Sequence, residues 1–404
     1  MTALALSTAL GSAAMADDKG TDINEFYKGV VVSEITPANM QSWQNYKYTS
    51  TRWDEYGIFG VSPIMAPPNP ATLKMADEMF DIGQEFQEGL TFVDSMVRTQ
   101  TKGFMILKDN VVHGEFYDNY LEPGGLQLLQ SSSKTYAGVI VSKLIDDGLI
   151  DPSQTVASYL ADFEGSAIGE ARVQHVLDMQ SGLLPATDYH IPGGEAFEFE
   201  IEQGLKPGDA TGHRAAVIAA ERPDTPGTNY NYNDKNTDLL AMLAEGVTGL
   251  PFNKHLSNLF GEFGSTSGGS VALTIDGTAS PSYGISTTLH DYALFHQWIA
   301  QGKAPKSFYA SAQDANADLF QHSETGQAVA GLLGTTVTHK SQIWGMPEHE
   351  IIYSVGSYGQ VGISHLPSGT SIVFMSDWED NGVPSKYKNS VDRAMFVLEQ
   401  LGVK

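Results

Sequence analysis

Ser131-Ser132-Ser133-Lys134-Thr135-Tyr136-Ala137-Gly138-Val139-Ile140-Val141-Ser142-Lys143-Leu144-Ile145 opens the longest apolar helical pattern of the chain, directly after the turn-like Glu122-Pro123-Gly124-Gly125 region. Residues three apart share a helix face. The pattern therefore puts the Ser131 hydroxyl and the Lys134 amine side by side at a helix start. A serine hydroxyl becomes a good nucleophile only when a base takes its proton, and a partly desolvated lysine can be that base. Ser-x-x-Lys is the shortest form of a Ser-Lys hydrolase centre. Alone it is a common tetrapeptide, so its weight depends on what surrounds it.

Upstream, Gly103-Phe104-Met105-Ile106-Leu107-Lys108 and Val111-Val112-His113-Gly114-Glu115-Phe116-Tyr117 flank Asp109-Asn110, which predicts a β-hairpin. Leu73, Met75, Met79, Phe80 and Ile82 are spaced as in a helix over 72–87. From about 150 to 285 the chain is punctuated by Gly and Pro, with helical patterns and no strong strand signal. Strands return at 350–355, 360–365 and 370–375, with a Pro367-Ser368-Gly369 turn, and an amphipathic helix covers 389–401. Strands at both ends with helices between predict an α+β fold: one antiparallel sheet built from both chain ends, flanked by helices, with a mainly helical insertion. The expected division is a leader at 1–16, an irregular aromatic-anchored arm at 17–75, an α/β body at 76–160 plus 285–404, and an insertion at 161–284.

Composition narrows the chemistry. The 404 residues include no cysteine, which excludes disulfides and thiol catalysis. Asp and Glu number 48 against 23 Lys and Arg, a net charge of −25. That balance argues against nucleic-acid or anionic-membrane partners. The first residues are small and apolar and end in Ala14-Met15-Ala16, a pattern of exported proteins, although a basic start is missing. A periplasmic or secreted location is the expectation. No stretch reaches the length of a membrane span. The 11 histidines are dispersed, so neither metal nor cofactor is called for.

Two further segments complete a constellation. Pro226-Gly227-Thr228 leads into Asn229-Tyr230-Asn231-Tyr232-Asn233-Asp234 and then a helix. A Ser-Lys centre needs a second proton carrier for the leaving group, and a tyrosine beside an ammonium can serve. Tyr232 is the candidate and Tyr230 the alternative; a tyrosine that merely packs is the plainer reading of either. Gly356-Ser357-Tyr358-Gly359-Gln360 opens a strand. A Gly-flanked edge lets a substrate approach, and an N–H there could join that of Ser131 in an oxyanion hole.

These segments, with Leu144 to Asp151 and Val173-Gln174-His175-Val176-Leu177-Asp178-Met179-Gln180-Ser181-Gly182, resemble the serine β-lactamase-like, penicillin-binding-protein-like family in order and spacing. Pro226-Gly227-Thr228 with Tyr232 is similar to its Pro-Gly-x-x-x-x-Tyr-x-Asn segment, and Gly284 to Asp291 to its Gly-Leu-x-Ser-Thr-x-x-Asp turn. The Met105–Gly114 hairpin and Leu177 to Gln180 resemble the 6-aminohexanoate-dimer (nylon oligomer) hydrolase branch, beside the family VIII esterases.

The resemblance implies a nucleophile at Ser131, a base at Lys134 and a second proton carrier at Tyr232. It implies oxyanion donors at Ser131 and Gln360, and substrate contacts at Asp234, Asp188, Tyr189, Tyr358 and Gly359. Two departures stand out. The family's Lys/His-Thr/Ser-Gly motif maps to Ser357-Tyr358-Gly359, without a cation, and its Asn two after the tyrosine is Asp234. A carboxylate there would hold Lys134 protonated unless burial offsets it. The expectation is a serine hydrolase acting on small esters or linear amides, with β-lactamase or D,D-peptidase activity as the second reading. A catalytically inactive binding protein is the reading from another class. A homodimer is compatible with this reading but not required by it.

Overall fold

The computed structural model describes residues 30–118, 121–186, 189–314 and 319–403. The leader at 1–16 and Asp188 lie outside the described residues.

The larger sheet contains β1 (Thr101–Lys108), β2 (Val111–Tyr117), β3 (Thr338–Lys340), β4 (Ile343–Met346), β5 (Ile351–Gly356), β6 (Gln360–His365) and β7 (Thr370–Ser376). Their order across the sheet is β3-β4-β5-β6-β7-β1-β2, with every neighbour antiparallel. The early hairpin and the last strands thus close on each other: Phe104 of β1 stands opposite Phe374 of β7, rings stacked at 5.2 Å. This is the expected α+β sheet made from both chain ends. Asp109 and Asn110 turn the β1–β2 hairpin at φ 51° and 60°, as a two-residue primed turn requires.

Five helices position the site: α1 (Lys134–Asp146), α2 (Glu195–Glu202), α3 (Asp234–Thr248), α4 (Leu289–Ala300) and α5 (Pro384–Gln400). α4 lies across β1, β6 and β7, while α1 packs between α3 and the helix Lys306–Ala312. α1 is buried along most of its length, including Tyr136, Val139, Ile140 and Val141. Gly138 lets it pass against the Ser341 carbonyl, where a Cβ would collide. Thr288 caps α4 by accepting the Asp291 N–H at 3.1 Å. The buried Asp291 carboxylate in turn accepts from Ser265 and Thr266, a physical reason for the Ser-Thr-x-x-Asp pattern.

Three expectations fail locally. Residues 72–87 contain no helix. Lys74–Met75 instead extends the sheet in parallel beside β2, and Glu85–Gln87 pairs with Leu90–Thr91. The spacing misled because Met75 and Met79 stay exposed while Leu73 packs on one core cluster and Phe80 and Ile82 on another, so the five residues share no single buried face. The stretch read without strands does carry them: Gly269–Ala272, inside the insertion, and Ile285–Thr287, just after it, form a second sheet with Val61–Ile64 and Gln127–Leu128. At two to four residues they are too short for alternation to show. The closing helix starts earlier than expected, with Pro384 in its first turn, a place proline tolerates. Among the described residues no helix is long and apolar enough to cross a membrane.

Candidate active site

The serine run is a single 3-10 turn, Gln130–Ser133, leading straight into α1. Its three hydroxyls do different things. Ser133 Oγ donates to the Tyr283 carbonyl and accepts from the Ile285 N–H, both at 3.0 Å. Ser132 Oγ donates to the Gln360 carbonyl at 3.1 Å and accepts from the Tyr292 hydroxyl at 3.1 Å. Behind it, Tyr292, Ser354, His296 and Ser364 continue a buried hydrogen-bonded chain at 2.8–2.9 Å. Burial pushes His296 down to about 3, so it is neutral there. Two serines thus pin the turn to the two sheets, and Ser131 alone faces the open side.

Lys134 is 2 % exposed. Its Nζ donates to Ser131 Oγ at 3.1 Å and to the Ser282 carbonyl at 2.6 Å. Asp234 Oδ1 is 2.7 Å away, a charge pair whose direction falls short of a hydrogen bond. Burial would lower the Lys134 pKa, but Asp234 and then Tyr232 outweigh it and the net direction is up. Burial raises Asp234, and Lys134 only partly offsets that. Tyr232 covers the ammonium with its ring centroid 4.9 Å from Nζ. Its pKa is raised by burial against the pull of Lys134, and its hydroxyl also interacts with Ser131.

α3 fixes this geometry. Asn233 caps the helix, accepting from the Lys235 N–H at 2.9 Å and donating to the Leu184 carbonyl at 2.8 Å. Asp234 is therefore the first helical residue, where the helix dipole favours a carboxylate. One turn later Asp238 is fully buried. It accepts from Gln203, Ser280 and the Ser282 N–H and shares a 2.9 Å hydrogen bond with His213. Burial would raise its pKa, but these bonds, His213 first, hold it below the ordinary value. Through Ser282, Asp238 fixes the carbonyl that receives Lys134.

The Ser131 face opens into a cavity of about 440 Å³. Tyr189, Tyr232, Asp234, Gly356, Ser357 and Tyr358 line it, with Glu200 and Lys206 on another side. Lys206 is paired with Glu200 and with the Tyr189 carbonyl. Burial pushes Glu200 up to about 7 even with Lys206 beside it. The arm adds Pro37, Ala38 and Gln41 to the rim. Tyr46 stacks on Tyr358 at 3.9 Å, and the Tyr358 hydroxyl donates to the Gln41 carbonyl at 3.3 Å. No group of three or more His, Asp or Glu among the described residues is placed to hold a metal.

The beta-lactamase family model matches residues 121–394. The chain belongs to that family. A curated relative, the 6-aminohexanoate-dimer hydrolase of Paenarthrobacter ureafaciens, is 27% identical over 68% of this chain and 70% of its own length. A Bacillus anthracis structure provisionally named as the same kind of hydrolase superposes with a TM-score of 0.79 at 18% identity, covering 92% of this chain and 98% of that one. A family VIII carboxylesterase superposes with a TM-score of 0.54 at 13% identity, covering 79% and 99%. The expected family is therefore the right one, with hydrolases of amides and of esters among its relatives.

Within this beta-lactamase-family fold, the structure gathers Ser131, Lys134, Tyr232, Asp234, Tyr189 and Tyr358 around one cavity. Two expected residues are elsewhere. Gln360 is fully buried and outside the cavity wall: its carbonyl holds Ser132 and its side chain donates to the Ser376 carbonyl. Gly359 backs onto Trp378, where a Cβ would strike the indole, so it serves packing rather than substrate approach. The alternative tyrosine, Tyr230, turns to His339, 3.2 Å from its Nδ1.

The end of β5 shares the cavity wall with Ser131 instead, and Gly356 lies so close to the Leu129 carbonyl that a Cβ would collide. The sequence reading singled out the Gly356–Gln360 run but could not tell which of its residues line the cavity, because a backbone N–H has no residue-type signature. The Ser282 carbonyl escaped for the same reason, and Asp238 because Asn236-Thr237-Asp238 reads as ordinary helix.

Proposed function

We propose that the chain is a serine hydrolase that cleaves small esters or linear amides through an acyl-enzyme on Ser131. Ser131 Oγ attacks the carbonyl carbon while its proton passes to the Lys134–Tyr232 side. The backbone N–H groups of Ser131 and Ser357 stabilise the oxyanion, in place of the Gln360 N–H. Removing one such donor typically costs about 10²–10³ in rate. Tyr232 hands a proton to the leaving alcohol or amine, and water then releases the acid.

The observation that carries this reading is the 3.1 Å contact between Lys134 Nζ and Ser131 Oγ on the wall of the cavity. The names of the relatives support both bond types, amide and ester. β-Lactams are the weaker reading, because both lysines nearest the cavity are already paired, Lys134 with Asp234 and Lys206 with Glu200. A substrate carboxylate would have to compete with those partners.

The test is a panel of p-nitrophenyl butyrate, a linear aminohexanoate amide and nitrocefin on the intact protein and on Ser131→Ala. Ester or amide turnover that vanishes in Ser131→Ala, with fluorophosphonate labelling at Ser131, is the expected result. Undiminished turnover in the variant would remove Ser131 from the mechanism. Nitrocefin turnover that rivals the ester would make the lactam reading the better one, and a chain that neither labels nor turns over is a binding protein.

A further inference from the structure

The Lys134 ammonium donates to Ser131 Oγ and the Ser282 carbonyl, stands 2.7 Å from Asp234 Oδ1 and lies against the Tyr232 ring. In that state it has no lone pair with which to take a proton from Ser131. One of its protons must leave first. A peptide carbonyl and a serine hydroxyl cannot hold it near neutral pH. Tyr232 as a phenol is a donor toward any base. Asp234 is the one partner that becomes a stable acid. Both members are nearly enclosed, with side-chain exposures of 2 % and 11 %. The remaining solvent access is through the cavity wall to which Asp234 belongs. A charge pair loses ground to its neutral form as water is excluded.

We propose that Asp234 is the proton store for Lys134: substrate displaces water from the cavity, a proton moves from Lys134 Nζ to Asp234, and the neutral amine becomes the base for Ser131. The inference rests on Ser131 being the nucleophile. Lys134 then takes the hydroxyl proton as Oγ bonds to the acyl carbon. It returns that proton, by way of Tyr232, to the leaving group as the scissile bond breaks. In deacylation it takes a proton from water as the water oxygen bonds to the acyl carbon, and Ser131 Oγ recovers that proton as its bond breaks. Product leaves, water returns, and Asp234 gives its proton back to Lys134.

The pair gains a proton when Lys134 accepts one and loses it again to the leaving group or to Ser131, so the full cycle restores its starting count and needs no net proton release from the pair to bulk solvent. The groups facing the pair are Tyr232 ahead of α3, Asp238 on α3, Glu195 and Glu200 on α2, Tyr189, and His339 on β3. Burial pushes His339 down to about 3, leaving it neutral. Glu200, at about 7, titrates inside the useful window.

The experiment therefore uses a Glu200→Gln background and follows kcat/KM for p-nitrophenyl butyrate from pH 5.5 to 9.5, with Asp234 intact and as Asp234→Asn and Asp234→Glu. With Asp234 intact the profile is expected to be flat near neutrality. Asn is nearly isosteric but cannot store a proton, so Lys134 must lose one to solvent. Activity should then climb about tenfold per pH unit on the acid side, as for a single ionisation. Asp234→Glu should restore the flat profile.

An Asp234→Asn profile that is lowered equally at every pH would reduce Asp234 to a positioning contact and overturn the proposal. So would a parent profile that itself climbs tenfold per unit to pH 9, the mark of a tyrosinate base. Melting curves establish that each variant is folded. If Ser131→Ala in the same background stays active, the serine reading fails; if it is dead and the Asp234→Asn profile stays flat, only the proton store fails.

Discussion

The protein buries two Lys–Asp pairs with the same 2.7 Å separation, and they serve opposite ends. Lys102–Asp377 is sealed, with side-chain exposures of 1 % and 2 %. Lys102 sits on β1 and Asp377 just beyond β7. Both reach Ser50 of the arm, at 3.3 Å each, and the Trp43 indole N–H donates to the Asp377 carbonyl. Burial dominates Lys102, and its pKa falls despite Asp377. Lys134–Asp234 has the same charges, but Asp234 forms part of a cavity wall and Lys134 touches a serine hydroxyl. There the opposite charge prevails and the lysine pKa rises. The sealed pair stitches chain segments together. The open pair borders a cavity and has a serine hydroxyl within reach, the one proposed above as nucleophile, so the two pairs differ in their surroundings rather than in their charges.

The comparison can be broken by cutting both pairs in the same way. Lys134→Ala is expected to lower kcat/KM for a p-nitrophenyl ester by about 10³-fold or more, since proton transfer by a positioned group contributes about 10²–10⁴. Lys102→Ala should instead destabilise the fold by about 3–5 kcal/mol, the usual cost of leaving one buried charge unpaired, while the molecules that stay folded keep their kcat. Thermal melts and active-site titration separate the two outcomes. Equal kinetic losses in both variants would erase the distinction.

A smaller effect sharpens it at the rim. Tyr358→Ala removes a stacked contact with Tyr46 worth about 0.5–1.5 kcal/mol. The arm should loosen, raising KM more than it lowers kcat, as initial-rate kinetics would show. The smallest concerns another lysine–carboxylate pair on the cavity wall, Lys206–Glu200. Glu200 is neutral below about pH 7 and charged above it, so raising the pH through 7 adds a negative charge to the cavity wall. The KM of a cationic ester should fall by about two- to fivefold between pH 6 and 8, that of a neutral ester should not move, and Glu200→Gln should abolish the difference.

Side-chain chemistry was readable from residue order alone, and backbone chemistry was not. Ser131, Lys134, Tyr232 and the intruding Asp234 announce themselves by residue type and spacing, and the structure brings all four together. The long strands β1, β2 and β5 to β7 were legible because enough residues alternate or cluster to show their period. β3, β4 and the second sheet are too short for that. The helix expected at 72–87 arose because five apolar residues satisfied a period that no buried face uses. The start of β6 at Gln360 was expected at the cavity, but Tyr358 and Gly359, at φ 61° and 93°, reverse the chain and the end of β5 lines the cavity instead.

The arm that contributes Pro37, Ala38 and Gln41 to the rim lies far upstream of the serine turn in the chain, and touches it through Tyr46, whose hydroxyl accepts from the Gln130 side chain at 3.0 Å. Rim and reaction centre are thus written in separate passages of the same gene. Mutation or recombination in the first can change which molecules are admitted while the second is inherited intact. A hydrolase arranged this way can drift among substrates without having to reinvent its chemistry.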